Sequence, residues 1–368
     1  MKKLSFLVCM LSFMTAFIGC QTKNDGKTIK VACNFPMSGD LSFYGQYLQD
    51  GITMAMDELK DSIDEQGIAI EYNYEDNHST TKDAVTAFNK HKLNGFDVYA
   101  SCCTAQSMAI QNLVEQTNKP HFIWSFYPLS LQPNDNIFRV WIDMAYEGDC
   151  FVKYIEQKRP ETVAFVYQNL SSTSEQFNKR IGPAVEKFGV KVVYNEPYDT
   201  EKKDFKDIIT KLSSLKPDMY ILYGFQNQLA EIIKNLNTYG LKKDGNILCS
   251  FDFLDVQNVL DAKLLDGIVT NIPRFIIDDN ARIVKWRNDF EKKFNRKPLF
   301  TDAYAYDFAY IMYDAAKDLK TFPGETINEA FSKVNRSGIS GPLSFDPTGQ
   351  IKNNIVTCVF KDGDFVEF

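Results

Sequence analysis

The sequence contains no Cys-x-x-Cys pair, although it has eight cysteines, and its three histidines, His78, His91 and His121, stand far apart. A metal site wants clustered ligands, so zinc is not expected. No Gly-x-Ser-x-Gly occurs, and no histidine falls where a predicted strand ends in a catalytic loop, so nucleophilic catalysis has no visible base. An enzyme is therefore not expected, no catalytic residue is nameable, and no cofactor is expected. Basic charge is also short. The 41 lysines and arginines are outnumbered by 48 acids, for a formal charge of −7. No domain-wide basic excess exists to neutralise a phosphate backbone, which argues against nucleic-acid binding. Finally, beyond the first twenty residues no run of 18 apolar residues follows, so no membrane span is predicted there.

What is present is ordinary globular material. Hydrophobic residues make up 44% of the chain and charged residues 24%, which rules out bulk disorder. At roughly 150 residues per domain, 368 residues suggest about two domains.

The N-terminus reads as an export signal. Lys2 and Lys3 precede the apolar stretch Leu4–Ile18, which is too short to span a bilayer comfortably and suits a signal-peptide core. It ends in Phe17-Ile18-Gly19-Cys20. A small residue before Cys after such a stretch resembles a bacterial lipobox, with Phe17 replacing the usual Leu. The resemblance implies cleavage after residue 19 and lipid attachment at Cys20; an ordinary secretory signal with an incidental Cys is the alternative. Losing residues 1–19 removes two lysines and no acids, taking the formal charge from −7 to −9. Residues 20–26 then read as a polar tether. The six remaining cysteines, Cys33, Cys102, Cys103, Cys150, Cys249 and Cys358, form no disulfide framework and read as buried small hydrophobes.

Strand-like and helical patterns alternate from Ile29 onward. Short apolar runs recur at Ile29–Cys33, Ile68–Tyr74, Phe96–Ala100, His121–Ser125, Val163–Tyr167, Val190–Tyr194, Met219–Tyr223, Ile247–Ser250 and Gly267–Thr270. Helical stripes lie between them, such as Ile52, Ala55, Met56 and Leu59, or Leu229, Ile232, Ile233 and Leu236. This alternation predicts parallel sheets with crossover helices. Two sets of strands, before about residue 140 and after about 160, predict two α/β lobes with a cleft between them. After Thr270, long helices at Asp279–Phe294 and Thr301–Leu319 precede a β-like tail.

In open α/β sheets ligands sit beyond the C-terminal strand ends. The loop Asn34–Gly45 can place Tyr44 at the cleft, and Ser101–Gln106 offers hydroxyls and helix N–H groups suited to an anion. The plainer reading is that Thr104 or Ser101 only caps its own helix.

These loops carry a resemblance to a known family. Pro36-Met37-Ser38-Gly39 with Tyr44-Gly45, the helix Gly51–Leu59, the turn Ser101–Thr104, the strand start Lys119–Ile123 and the closing Gly341-Pro342-Leu343-Ser344-Phe345-Asp346 with Gly349 follow in the order of the leucine/isoleucine/valine-binding family of bacterial type I periplasmic binding proteins. The chain resembles that family from about Ile29 to its C-terminus.

The resemblance implies two doubly wound parallel-sheet lobes joined by three crossings, near Val140–Asp143, Asn271–Arg274 and Arg336–Gly341. Lobe one would comprise 27–142 and 273–337, and lobe two 143–272 and 338–368. It implies a small amino-acid-like ligand and an ABC permease as partners, with the protein held at the periplasmic face of the cell envelope through Cys20. By the same resemblance, Thr104 and Ala105, beside Cys103, would take a carboxylate together with Phe126 and Tyr127, and Asp252 would take the ammonium. Tyr44, Phe225 and Gln226 would flank the ligand. Asp252 could instead only cap the helix near Asp255. The chain departs from the family at Trp124-Ser125-Phe126-Tyr127-Pro128, where Ser125 or Tyr127 would replace a missing hydroxyl, and at Asn169–Thr173, where Ser172 stands near an expected aromatic. These departures imply a ligand other than leucine, isoleucine or valine: a smaller or differently shaped polar solute, an amide or a short peptide. A sensory or regulatory lipoprotein of the same fold is the alternative function.

Overall fold

A computed structural model describes residues 28–126, 131, 136–257, 259–352 and 354–368. The export signal, Cys20, the tether, Tyr127 and Pro128 lie outside the described residues. The strands of the first sheet are rich in buried Val, Ile, Ala and Cys, and helices cover both its faces, as such continuous apolar runs require. In chain order the first half contains β1 (Thr28–Phe35), α1 (Ser42–Gln66), β2 (Ala69–Asp76), α2 (Thr81–Lys92), β3 (Val98–Cys102), α3 (Thr104–Glu115), β4 (His121–Trp124) and β5 (Ile137–Arg139). The five strands form one parallel sheet in the order β2-β1-β3-β4-β5.

The second half contains α4 (Met144–Lys158), β6 (Thr162–Gln168), α5 (Ser171–Glu175), a wide π-helical stretch at Gln176–Ile181, α6 (Gly182–Glu186) and β7 (Lys191–Tyr198). It continues with α7 (Lys206–Leu215), β8 (Met219–Tyr223), α8 (Gln226–Thr238), β9 (Ile247–Cys249), α9 (Phe253–Val256), α10 (Ala262–Leu265) and β10 (Ile268–Pro273). Then come α11 (Ala281–Phe294), α12 (Phe300–Thr321), α13 (Ile327–Ser332), β11 (Arg336–Ser337), β12 (Pro342–Leu343), β13 (Ile355–Lys361) and β14 (Asp364–Glu367). The second sheet runs β14-β13-β10-β9-β8-β6-β7. It differs from the expected all-parallel sheet: β13 pairs antiparallel with β10, and β14 antiparallel with β13. The tail after residue 354 is a hairpin, and the two strands of a hairpin must run antiparallel.

The two long helices after β10 return to the first sheet. α12 lies along α1, and Phe308 of α12 packs on Trp124 at 5.0 Å and Phe122 at 5.1 Å. Its buried Asp307 accepts from the N–H groups of Ile339 and Ser340 at 2.8 and 2.7 Å and from the Ser340 hydroxyl. The chain still belongs to the first sheet at Ile351, whose N–H donates to Arg139 O at 3.0 Å, while the Arg139 N–H donates to Gly349 O at 2.8 Å. Gly349 sits at φ +84°, and a Cβ there would lie 1.9 Å from Ile137 O. The last return to the second sheet therefore falls between Ile351 and Ile355, not at Arg336–Gly341. The sequence breaker at Gly338–Pro342 marks the β11–β12 turn against α12 instead.

Candidate functional site

The first wall of the cleft is built by the loop after β1. Asp76, at the end of β2, accepts the N–H groups of Met37, Ser38 and His78 on one carboxylate oxygen at 3.0, 3.1 and 2.8 Å. Burial opposes its ionisation, but the bonds from Ser38 and His78 outweigh that and hold its carboxyl below the ordinary range. Ser79 donates to Ser38 O and accepts from Leu41 N, while Gln106 of α3 donates to Ser79 O at 2.7 Å. Gly45 lets α1 start here, since a Cβ at that position would lie 2.2 Å from Pro36 O. The result presents Asp40, Leu41, Phe43, Tyr44 and Tyr47 along one side of a cavity of about 650 Å³.

The opposite wall comes from loops after β7, β8 and β9: Thr200–Lys203 with Phe205, Phe225–Gln228 with Glu231, and Asp252 with Asp255. Gln228 ties three strand ends together. Its Oε1 accepts from Gln168 Nε2 at 2.6 Å, after β6, and from Phe225 N at 3.3 Å, and its Nε2 donates to Thr200 O. Gln226 donates to Asp255 O at 2.8 Å, joining α8 to α9.

Asp252 does not cap α9 with its side chain. Its Oδ2 accepts from Ser250 Oγ at 3.0 Å, and among the described residues it pairs with no basic side chain. Burial, and then the nearby Asp255, push its carboxyl up to about 7, and burial pushes Asp255 up to about 6. Both groups resist ionisation without a cation.

Behind Asp252 stands Glu147, a fully buried residue of α4. Its Oε1 accepts from Phe251 N at 2.8 Å and its Oε2 from Tyr223 Oη at 2.6 Å. Its backbone O accepts from Asn271 Nδ2 at 3.3 Å, and Asn271 Oδ1 accepts from Thr357 Oγ1 at 2.8 Å. These residues stand just after the first passage between the sheets, just before the second and just after the third. Burial raises the Glu147 carboxyl to about 8, opposed by the Tyr223 and Phe251 bonds. Nothing in the sequence marks it, because one Glu in an amphipathic helix ordinarily faces water.

The sheets also meet through aromatic rings. Phe251 packs edge-on against Phe126 at 4.8 Å and Phe300 at 5.0 Å; Trp141 meets Phe300 at 5.0 Å and Tyr44 at 6.2 Å. Of the residues singled out from sequence, Tyr44, Phe225, Gln226 and Asp252 line the cavity together. Cys103, Thr104, Ala105, Ser125, Phe126 and Ser172 are not in its walls. Phe126 is spent on Phe251, which fills the space in front of it. Ser125 donates to Thr104 Oγ1 at 3.3 Å. Thr104 is the first residue of α3 rather than its cap; Cys103 precedes it at φ +71°, in the left-handed region, with its Sγ 3.4 Å from that of Cys102. Ser101 does not cap α3 either, being bonded to His121 and Ser107 at 2.7 and 2.8 Å. Ser172 lies in α5. No group of three or more metal-ligating side chains occurs among the described residues.

Two α/β sheets facing each other across a cavity of mixed acidic and aromatic lining, with the chain passing between them three times, define a two-lobed binding protein of type I architecture. The chain belongs to the periplasmic binding protein family, whose model matches residues 28–363. Membership places it among binding proteins rather than enzymes. It is 21% identical over 344 residues to a leucine-, isoleucine-, valine-, threonine- and alanine-binding protein of Pseudomonas aeruginosa, across 89% of this chain and 88% of that one. Its fold is similar to a solute-binding protein of an ABC transporter from Rhodopseudomonas palustris in complex with 3,4-dihydroxybenzoic acid (TM-score 0.79, 19% identity, 93% and 96% of the two chains). It is similar too to a branched-chain amino acid transporter substrate-binding protein of Streptococcus pneumoniae in complex with isoleucine (TM-score 0.76, 21% identity, 92% and 98%).

Proposed function

We propose that this chain is the substrate-binding lipoprotein of an ABC importer, capturing a small amine-bearing, amino-acid-like solute between its lobes. The observation that carries this reading is Asp252. Its carboxyl lines an interlobe cavity, is partly buried, and has no basic partner among the described residues. A protonated amine would supply the missing charge. Tyr44 and Phe225 then flank the solute from opposite lobes, and Gln226 adds polar contact. Closure of the lobes on the solute excludes water and presents the closed form to a permease. The similarity to solute-binding proteins of ABC transporters supports that partner.

Lobe one is assigned to 28–142 with 273–351, and lobe two to 143–272 with 355–368. The lipid on Cys20 would hold the receptor at the periplasmic face of the membrane. A thermal-shift screen against the amino acids tests the reading. A solute at 100 times its Kd adds about 2.7 kcal/mol of stability, a readable shift. No shift with any amino acid, amide, amine or short peptide would sink it.

A further inference from the structure

The charges around the cavity are one-sided. Five of its lining side chains are carboxylates, Asp40, Glu201, Glu231, Asp252 and Asp255, and two are lysines. One of those lysines, Lys202, is already paired with Asp207 at 3.1 Å. The other, Lys203, is exposed at the rim, as are Asp40 and Glu201, whereas Glu231, Asp252 and Asp255 are partly buried. None of the five carboxylates makes an ion pair with a basic side chain among the described residues. The same walls carry the rings of Phe43, Tyr44, Tyr47, Phe205 and Phe225, drawn from both lobes. Carboxylates in a partly dry cavity, faced by aromatic rings, are the surroundings that stabilise an organic cation. The acids supply charge-assisted hydrogen bonds, and the ring faces attract positive charge.

One carboxylate suffices for the ammonium of a neutral amino acid. Here a second, Asp255, stands beside Asp252 on the short helix α9, where two like charges in a half-buried place disfavour each other. A zwitterion brings one positive group and one negative group, and leaves this excess in place. An anion such as a benzoate worsens it.

We propose that the solute is a net organic cation, a diamine or a basic amino acid, whose protonated nitrogens sit between Asp252 and Asp255 against Tyr44 and Phe225. This inference rests on the cavity being the solute site and deepens that reading by naming the charge of what enters it. Asp255 is then a specificity-determining residue, separating cationic from neutral solutes.

The test is calorimetric titration of the whole protein with putrescine, L-lysine, L-arginine, L-leucine, L-alanine and benzoate, at low and high salt. The wild type is compared with Asp255→Asn and Asp255→Glu. The Asn substitution keeps the side chain's size and the backbone O that accepts from Gln226, and each variant's melting curve checks that the fold survives. The expected result is binding of at least one cationic probe, at least tenfold tighter than any neutral or anionic probe and weakened by salt. Asp255→Asn should lose about tenfold or more of that affinity, and Asp255→Glu should retain most of it. Putrescine against the two basic amino acids tells whether a carboxylate is needed as well. Equal binding of L-leucine or L-alanine, unchanged by Asp255→Asn, would overturn the cation inference and leave the amino-acid reading standing. Binding of benzoate alone would overturn both. Silence from all three cationic probes would overturn the inference.

Discussion

The N–H of Phe251 donates to Glu147 Oε1 at 2.8 Å, so the helix that starts at the first passage holds the loop that carries Asp252. Glu147→Ala would leave that N–H and the Tyr223 hydroxyl without their acceptor in a dry place. At about 1–3 kcal/mol for each of the two stranded donors, the variant should lose roughly 2–6 kcal/mol. Glu147→Gln keeps the shape and one acceptor and should lose less. Urea unfolding of the two variants checks both values; an unchanged midpoint in Glu147→Ala would show that the network contributes nothing.

Phe251 also joins the lobes, lying between Phe126 and Phe300. Phe251→Ala removes a buried ring from both contacts and should cost about 3–5 kcal/mol. Because the ring bridges the two lobes, its loss should also favour the open arrangement. Small-angle scattering of the free variant should give a larger radius of gyration than the wild type.

The carboxyl of Asp252 ionises near pH 7 in the folded chain and near 3.8 when unfolded. The folded state therefore holds this proton more tightly, and stability from this group falls as pH rises from about 4 to 7. His121 works the other way: burial lowers it to about 3, so stability from that group rises with pH up to about 6.5. Comparing wild type with Asp252→Asn isolates the first effect. The variant should gain stability relative to wild type between pH 5 and pH 7, measured by urea unfolding of both proteins at each pH. A constant difference would mean that Asp252 titrates normally. Solute capture by the ionised carboxylate should release protons at about pH 6–7.

Much of this arrangement is legible in the sequence, for a physical reason. A buried parallel strand must be continuously apolar, so runs such as Met219–Tyr223 and His121–Trp124 declare themselves. The loop beyond β1 then points to Tyr44, and the family resemblance to Phe225, Gln226 and Asp252, all four of which line the cavity. What stays hidden depends on contacts between residues far apart in the chain. Glu147 and Asn271 are 124 positions apart, and neither stands out in its own element. Gln228 reads as an ordinary helix residue until three loops converge on it. Phe126 and Phe251 each look like cavity or core residues, and only packing shows that they are spent on each other. The third passage is misplaced from sequence because a Gly-Pro breaker marks a turn equally well within one lobe or between two.

The export signal makes a separate prediction. If Cys20 carries the lipid, Cys20→Ser should move the protein from the membrane to the soluble fraction and abolish its labelling by a fatty-acid analogue. Retention in the membrane fraction without label would point to another anchor.

The central claim is that Asp252 receives the amine of a solute held between the lobes. Calorimetric titration of wild type and Asp252→Asn with the amine or amino acid that gives the largest thermal shift tests it most directly. The account predicts one solute per chain for the wild type, and a loss of at least about tenfold in affinity for a variant that melts as a folded protein. Unchanged affinity in Asp252→Asn would contradict it.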